Sequence, residues 1–277
     1  MSTEPARASA ASRKAVVAAQ DAGHGEGHDY DKGSPHLRHA HLRQMVEQRL
    51  TTLVRARIAA TGHCRVLEIG AGHGTFTACL LDAGGEVTVT EASAASAEHL
   101  RRAFGDSGRV EVRYDETGEE ILAEERSWDL AVITAVLHHI PDYLVFLDRL
   151  SSLIAAGGAI FTVQDPTYYP RRPRLAHRAD RGAYLAWRLF QGDYARGVRT
   201  RVRRLRGVYD ETQESDLVEY HVVRQGVDEE AIRELLHGTF AGVEVFTYWS
   251  TQAPVLQRLG ERAGLVSNFG VQATGRL

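Results

Sequence analysis

The chain has 277 residues, 43% of them hydrophobic, and its formal net charge at pH 7 is -3. A chain of this length can bury a large core and form one large α/β domain or two smaller ones. The near-neutral charge argues against a dedicated nucleic-acid-binding protein. No apolar run reaches the length of a membrane span, and residues 1–10 lack the apolar core of a signal peptide. We therefore expect a cytoplasmic protein without a membrane partner.

The N-terminal part precedes the regular pattern of the chain. Residues 1–27 are rich in Ala, Ser and Gly, and we expect a disordered tail there. Ser34 is a suitable N-cap and Pro35 a suitable first helical residue, so a helix should begin here and end before Gly62. Residues 28–61 are therefore predicted to form a helical segment in front of the main domain.

Five histidines fall in this N-terminal part, which raises the question of a metal site. No cysteine accompanies them, and their spacings match neither a zinc-finger nor a zincin pattern. We therefore expect no metal. The five histidines are His24, His28, His36, His39 and His41.

Short apolar runs alternate with helical patterns from residue 64 onward. Strands are expected at 64–69, 86–90, 110–113, 128–134 and 159–163, and helices at 75–82, 93–104, 119–125 and 142–154. Later segments predict a helix at 228–236, strands at 243–249 and 265–273, and a short helix within 251–263. Strand alternating with helix implies right-handed crossovers and a parallel sheet. The pattern predicts an α/β fold with an open, doubly wound, Rossmann-like sheet.

Three glycines follow the first predicted strand at alternate positions, Gly70, Gly72 and Gly74. Glycine tolerates positive φ and lets a ligand lie close to the backbone. The dinucleotide fingerprint G-x-G-x-x-G/A would require a small third residue at position 75, where this chain has Thr75. The turn therefore favours a flat ligand other than a dinucleotide, although strand–helix turns rich in glycine also occur in unrelated α/β proteins.

Glu68 precedes the glycines by two residues and completes an E-x-G-x-G-x-G arrangement. This arrangement resembles the S-adenosylmethionine loop of class I methyltransferases, and the resemblance implies that the turn underlies the methionine end of the cofactor. Glu91 ends the second predicted strand, about twenty residues beyond the turn, where a carboxylate is expected to accept both ribose hydroxyls. The resemblance also places an acidic residue, Asp115, near the adenine amine.

The segment before the first strand often folds over the cofactor pocket in class I methyltransferases. The resemblance therefore implies that Tyr30 and His36 line such a lid, with the alternative that Tyr30 only fastens the loop to the core. The complete cofactor-binding set that the resemblance implies is Tyr30, Glu68, Gly70, Ala71, Gly72, Glu91, Ala92, Asp115, Glu116 and Ala135.

The segment after the fourth strand reads Leu137-His-His-Ile-Pro-Asp142 and resembles the post-strand motif of small-molecule methyltransferases. An imidazole takes a proton from a hydroxyl or amine near neutral pH. Adjacent histidines do not easily face the same way, so one of His138 and His139 is expected to be structural. This region also resembles natural-product sugar O-methyltransferases, and the resemblance implies that Asp165, after the fifth strand, flanks the acceptor together with the histidines. The alternative is that Asp165 shapes a turn before Pro166.

Residues 170–224 interrupt the sheet pattern with a stretch rich in arginine and aromatic side chains. Basic and aromatic residues together could bind RNA. The aromatics recur at helical spacing, however, which favours a helical cap over the acceptor pocket. The resemblance thus implies one class I methyltransferase domain over residues 62–277, with strand order 3-2-1-4-5-7-6 and an antiparallel last strand.

The function implied by this resemblance is S-adenosylmethionine-dependent methyl transfer to a small specialised metabolite in natural product biosynthesis. The acceptor atom is O, N or C, and the acceptor a glycoside, polyketide, alkaloid or prenylated aromatic. A methyltransferase-fold cyclase or methylation-triggered cyclisation is the alternative, and an RNA methyltransferase is less favoured. The expected partner is thus a small molecule, with no nucleic acid. A homo-oligomer could form through the N-terminal helix or the insertion.

Overall fold

A computed structural model describes residues 34–173, 176, 179, 182 and 225–277. The expected tail, Tyr30 and nearly all of the predicted insertion lie outside these residues. The strands are β1 (Arg65–Ile69), β2 (Glu86–Glu91), β3 (Val110–Tyr114), β4 (Trp128–Thr134), β5 (Ile154–Pro166), β6 (Phe240–Tyr248) and β7 (Asn268–Arg276). The helices are α1 (Pro35–Arg38), α2 (Ala40–Thr61), α3 (Thr75–Asp82), α4 (Ala94–Phe104), α5 (Glu119–Leu122), α6 (Tyr143–Ser152), α7 (Glu229–His237) and α8 (Pro254–Arg262).

The seven strands form one sheet in the order β3-β2-β1-β4-β5-β7-β6, which confirms the predicted order. Strands β1 to β5 pair in parallel, and β7 runs antiparallel to both β5 and β6. Parallel strands that follow one another need crossover connections, and α3, α4, α5 and α6 supply them. The strand order reverses between β1 and β4, so the crevice beyond the carboxyl ends of these two strands is the expected ligand site.

Both faces of the sheet are covered, and each face has its own apolar cluster. Val66 and Phe161 face the cluster that includes α2 and α3, which we call the α2 face. Leu67 and Ile160 face the cluster that includes α6 and α7, which we call the α6 face. Successive strand residues point to opposite faces, and burial on both faces explains why the parallel strands read as continuous apolar runs.

Helix α2 is fastened to the amino-terminal edge of the sheet by a buried carboxylate. Asp129, at the start of β4, accepts hydrogen bonds from Arg57 Nη2 at 2.7 Å and from the Arg65 backbone N–H at 2.8 Å. Burial by itself would raise the pKa of Asp129, but these two donors and the charges of both arginines lower it. The ion pair therefore lies at the end of the sheet opposite the ligand crevice.

The predicted N-terminal helix is interrupted. Pro35 is the first residue of α1 as expected, but His39 adopts an extended backbone (φ -92°, ψ 111°) and ends that helix after one turn. The ring Nε2 of His39 lies 2.8 Å from the Thr251 carbonyl oxygen, a contact between the N-terminus and the segment after β6. The single helix predicted from residue 35 to residue 61 is therefore wrong at this position.

Strand β5 is longer than predicted at both ends. It begins at Ile154, before the predicted start at residue 159, and it runs on to Pro166. Asp165 therefore lies inside the strand and not after it, and the alternative that Asp165 shapes a turn is wrong, because Asp165 and Pro166 pair with β7. The helix expected within 251–263 is present as α8. No helix in the described ranges is both long and apolar enough to cross a membrane.

Candidate active site

The glycine turn has a backbone that only glycine adopts easily. Gly70, Gly72 and Gly74 have φ values of 71°, 58° and 85°, in the left-handed region. A Cβ added at Gly70 would lie 2.4 Å from Cγ2 of Val136, a residue of the segment after β4. The glycine thus lets the β1 turn and the β4 loop approach each other at the crevice.

Glu91 is brought to the glycine turn, as the sequence predicted. Its carboxylate is 7% exposed and accepts a hydrogen bond from the Gly72 backbone N–H. Burial raises the pKa of Glu91 to about 7, against the lowering effect of the Gly72, Ser93 and Ala92 N–H groups. Each carboxylate oxygen has two acceptor sites, so the group retains capacity for ligand hydroxyls. These donors and acceptors fit the ribose end of the cofactor that the resemblance implies.

Glu68 has a structural contact beneath the turn. It is buried, and Thr77 Oγ1 donates a hydrogen bond to its Oε2 at 2.6 Å, which ties β1 to α3. Burial raises the pKa of Glu68 to about 7, the Thr77 hydrogen bond opposes this, and the charge of Glu91 adds to it. Direct contact between Glu68 and a cofactor stays a prediction.

Asp115 lies next to Glu91 but already has backbone partners. Its N–H donates to the Glu91 carbonyl oxygen at 3.0 Å, which joins the ends of β2 and β3. Its carboxylate accepts hydrogen bonds from the N–H groups of Gly118 at 2.8 Å and Ile121 at 3.0 Å. Asp115 therefore fixes the loop before α5, while Glu116 is exposed. The contact of either residue with adenine stays a prediction.

The end of β4 borders the same crevice. Ala135, a predicted cofactor contact, has a positive φ of 57°, and its N–H donates to the Val163 carbonyl oxygen at 2.8 Å. This turn leads directly into the short 3-10 helix Leu137–His139. Two further predicted cofactor-binding residues are half-buried: Ala71, beside the glycine turn, and Ala92, after Glu91. All three positions therefore lie around the ends of β1, β2 and β4.

His138 and Asp165 form a hydrogen-bonded dyad. Asp165 is 0% exposed, and its Oδ1 lies 3.0 Å from the backbone nitrogen of His138 and 2.8 Å from its ring Nδ1. A carboxylate oxygen accepts, so the ring donates through Nδ1–H and carries its lone pair on Nε2. The structure thus brings together two residues that are 27 positions apart in the chain.

His139 and His36 surround the dyad. The His139 ring centroid lies 3.9 Å from that of His138. The expectation that one of the two histidines is structural stays a prediction. His36, on α1, is 6% exposed and its ring stacks on Phe76 at 6.0 Å. Burial, and then the charge of His138, lower the pKa of His36 to about 3, so this imidazole is neutral. Helix α1 therefore brings an uncharged ring to the acceptor side of the crevice.

The two ends of the predicted insertion meet beside Asp165. The Tyr169 N–H donates to the Gln225 carbonyl oxygen at 2.6 Å, and Thr167 pairs with Val227 in an isolated parallel bridge. Residues 170–224 therefore leave and re-enter the fold at neighbouring points near the carboxyl end of β5. Within the described ranges, no three His, Cys, Asp or Glu side chains are arranged to hold a metal ion.

Sequence reasoning did not single out Gln164, Tyr248 or Ser250, although they form a buried hydrogen-bond chain next to Asp165. Tyr248 OH donates to Gln164 Oε1 at 3.0 Å, and Gln164 Nε2 donates to Ser250 Oγ at 2.7 Å. Gln164 has a positive φ of 71°. No sequence pattern marks a glutamine that takes this backbone conformation, so this part of the site had no signal in the sequence.

Residues 67–160 match a family model described as a methyltransferase domain. Two curated relatives, the ubiquinone biosynthesis O-methyltransferases of Leptothrix cholodnii and Bordetella avium, are 26% and 29% identical over 99 residues. Each match covers 35% of this chain and spans 42% and 41% of the respective relative, about two fifths of its length.

Two solved structures share the fold at low sequence identity. The first is the N-methyltransferase NodS of Bradyrhizobium japonicum in complex with S-adenosyl-L-homocysteine, with a TM-score of 0.51, 14% identity and coverage of 95% of this chain and 98% of that one. The second is a putative sarcosine dimethylglycine methyltransferase of Galdieria sulphuraria, with a TM-score of 0.50, 13% identity and coverage of 85% and 88%. Residues 67–160 thus match the methyltransferase-domain family, and they lie in a sheet with the strand order expected of a class I methyltransferase.

Proposed function

We propose that this chain transfers the methyl group of S-adenosylmethionine to a hydroxyl of a small-molecule acceptor. The observation that carries the proposal is the His138–Asp165 dyad at the carboxyl ends of β4 and β5. Transfer to a hydroxyl requires the loss of a proton, and an imidazole held in one tautomer by a buried carboxylate is suited to accept it. The two curated relatives are both O-methyltransferases, which agrees with an oxygen acceptor.

The residues of this chain divide the work between two sides of the crevice. When bound, S-adenosylmethionine supplies an electrophilic methyl group and a good leaving group. Glu91 and the Gly72 N–H hold the ribose side at the ends of β1 and β2. On the acceptor side, His138 accepts the hydroxyl proton at Nε2, and Asp165 Oδ1 stabilises the resulting imidazolium through Nδ1–H. The fixed positions of these groups align donor and acceptor, which lowers the entropic part of the barrier.

The acceptor is a small specialised metabolite, and a glycoside, polyketide, alkaloid or prenylated aromatic is the class that we propose. The described residues at the two ends of the predicted insertion meet next to Asp165, which agrees with the small acceptor that the resemblance implies. His36 supports an uncharged or apolar group near the dyad, since a buried neutral ring against Phe76 does not attract an anion.

The proposal is tested by incubating the purified protein with S-adenosylmethionine and a metabolite extract, followed by mass spectrometry. The expected product is an acceptor heavier by one methylene group, with methoxy signals in its NMR spectrum. His138→Gln should abolish the product and His139→Gln should retain part of it. A product methylated on nitrogen or carbon, or full turnover by His138→Gln, would contradict the proposed role of His138. A rearranged product without an added methyl group would point to cyclisation instead.

A further inference from the structure

One residue of β5 has no partner in the sheet. Val163 pairs with Gly270 and Asp165 pairs with Phe269, so the two β5 residues are separated by Gln164 while their β7 partners are adjacent. This is a β-bulge, in which two residues of one strand oppose one residue of its neighbour. Gln164 is the residue with the positive φ of 71°.

The bulge decides on which face of the sheet Asp165 lies. In a regular strand, residues two apart point to the same face, so Asp165 would share the face of Val163. Val163 belongs to the cluster on the α2 face, whereas Phe269, the pairing partner of Asp165, belongs to the cluster on the α6 face. Leu137, which precedes His138, is buried in that same α6-face cluster. Without the extra residue, the carboxylate would therefore lie across the sheet from His138.

Side-chain contacts hold Gln164 in this unfavourable backbone conformation. A left-handed conformation is unfavourable for a residue with a Cβ, because the Cβ comes too close to the following carbonyl oxygen. The Gln164 side chain is 8% exposed, and both ends of its amide are engaged, by the Tyr248 hydroxyl at 3.0 Å and by Ser250 Oγ at 2.7 Å. Both partners belong to β6 and the residues after it, not to β5 or β7. Losing these contacts would leave a buried amide unsatisfied, which opposes relaxation of the bulge.

We infer that Gln164 is a positioning residue: its amide, held by Tyr248 and Ser250, maintains the bulge that turns Asp165 towards His138. The role of Gln164 in catalysis rests on the proposed function, whereas its effect on the position of Asp165 does not. Gln164 thus acts on His138 through Asp165.

The inference is tested by NMR of the full-length protein labelled with ¹⁵N-histidine. His138→Gln assigns the His138 ring signals, and Asp165→Asn shows their pattern when the hydrogen bond to the carboxylate is lost. Gln164→Leu keeps the approximate size of the side chain but removes the amide, and we expect the His138 pattern to shift to that of Asp165→Asn. Gln225→Leu is the matched control, because Gln225 also has a positive φ, 63°, but is exposed. This control should leave the His138 signals unchanged.

A folded Gln164→Leu protein with wild-type His138 signals would overturn the inference. If that variant does not fold, Tyr248→Phe and Ser250→Ala each remove one of the two contacts, and wild-type His138 signals in both would overturn it. The binding constant for S-adenosylhomocysteine, measured by calorimetry, should change less than about twofold in Gln164→Leu, because Glu91, at the end of β2, lies three strands from β5 in the sheet order. Methyl transfer to nitrogen or carbon would contradict the proposed function. It would not affect the NMR test, which measures only whether Gln164 holds Asp165 against His138.

Discussion

Asp165 holds His138 twice through a single oxygen: Oδ1 accepts both the backbone N–H, at 3.0 Å, and the ring Nδ1–H, at 2.8 Å. The backbone contact fixes the 3-10 helix that carries the histidine, and the ring contact fixes the tautomer. One carboxylate thus sets both the position and the protonation pattern of the proposed base. In the described residues, Oδ2 of Asp165 is buried and has no hydrogen-bond partner.

Replacing Asp165 by Asn should lower the rate of methyl transfer. An amide nitrogen placed near Nδ1 would favour the tautomer that lacks a lone pair on Nε2, so kcat should fall by about 100-fold or more. Affinity for S-adenosylhomocysteine should stay nearly constant in calorimetry. Asp142→Asn is the control, because Asp142 precedes α6 without a side-chain capping bond. A similar fall of kcat in both variants would show that the effect does not come from the dyad.

Cofactor affinity should depend on pH through Glu91. Its pKa is about 7 because it is buried, and ribose hydroxyls donate to the ionised form. Binding therefore becomes weaker as pH falls below 7, and the dissociation constant rises towards about tenfold per pH unit. Glu91→Gln should bind about 10-fold to 100-fold more weakly at pH 8 and lose this pH dependence. Calorimetry with S-adenosylhomocysteine from pH 5.5 to 8.5 measures the dissociation constants of the wild type and of Glu91→Gln. If both constants changed with pH in the same way, the role of Glu91 would be contradicted.

Glu68 should make the fold less stable as pH rises. Its pKa is raised from 4.5 to about 7, so the native state holds the proton more tightly than the unfolded chain does. The resulting stabilisation is complete below pH 4.5 and is lost as pH rises through 7, a change of about 3 kcal/mol. Glu68→Gln cannot titrate, so its free energy of unfolding relative to wild type should increase by this amount between pH 4.5 and 8. Urea unfolding at several pH values measures the difference, and a constant difference would contradict the prediction.

Gly70→Ala should lower stability and cofactor binding by more than its backbone strain alone explains. The added Cβ would lie 2.4 Å from Val136 Cγ2, in addition to the cost of the positive φ. Gly62→Ala is the matched control, because Gly62 also has a positive φ, 84°, but open space around it. We expect Gly70→Ala to lower the free energy of unfolding more than the control, and to weaken S-adenosylhomocysteine binding. The double variant Gly70→Ala, Val136→Ala should recover part of the lost free energy of unfolding and part of the lost binding. If neither recovered, steric overlap with Val136 would not be the cause.

Arg57→Met should destabilise the fold without affecting the chemistry. It removes one of the two arginines that face the buried carboxylate of Asp129 and leaves only Arg65, which costs up to about 3 kcal/mol in the free energy of unfolding. The pair lies at the amino ends of the strands, so affinity for S-adenosylhomocysteine should not change below the unfolding temperature. Arg55→Met, at an exposed position of the same helix, should have little effect. Equal losses in both variants would exclude the ion pair as the cause.

The parts of the fold that the sequence predicted well are those with local causes. The apolar runs of β1 to β4 and their spacing gave the parallel sheet, and the resemblance carried by Glu68 to Gly74 supplied its order. Glu91 was found because a carboxylate at the end of β2 must lie beside the turn after β1. The end of β3 lies at the same edge of the sheet, so Asp115 was expected next to Glu91. The sequence did not show that the Asp115 carboxylate is buried among the N–H groups of the following loop.

Two features depended on contacts between distant residues. His39 interrupts the predicted helix, and its ring meets the Thr251 carbonyl oxygen, 212 positions away. Gln164 leaves the regular strand because Tyr248 and Ser250, more than 80 positions away, bind its amide. Local propensity favours neither conformation, so only the folded chain shows them.

The sequence by itself determined the class of sheet, the position of the glycine turn and the residues available for the chemistry, because hydrophobic period and glycine placement are local properties. The tertiary structure alone decided that Asp165 faces His138. In a strand of period two, one extra residue exchanges the faces of every side chain that follows, and hydrogen bonds from Tyr248 and Ser250 hold that residue in place.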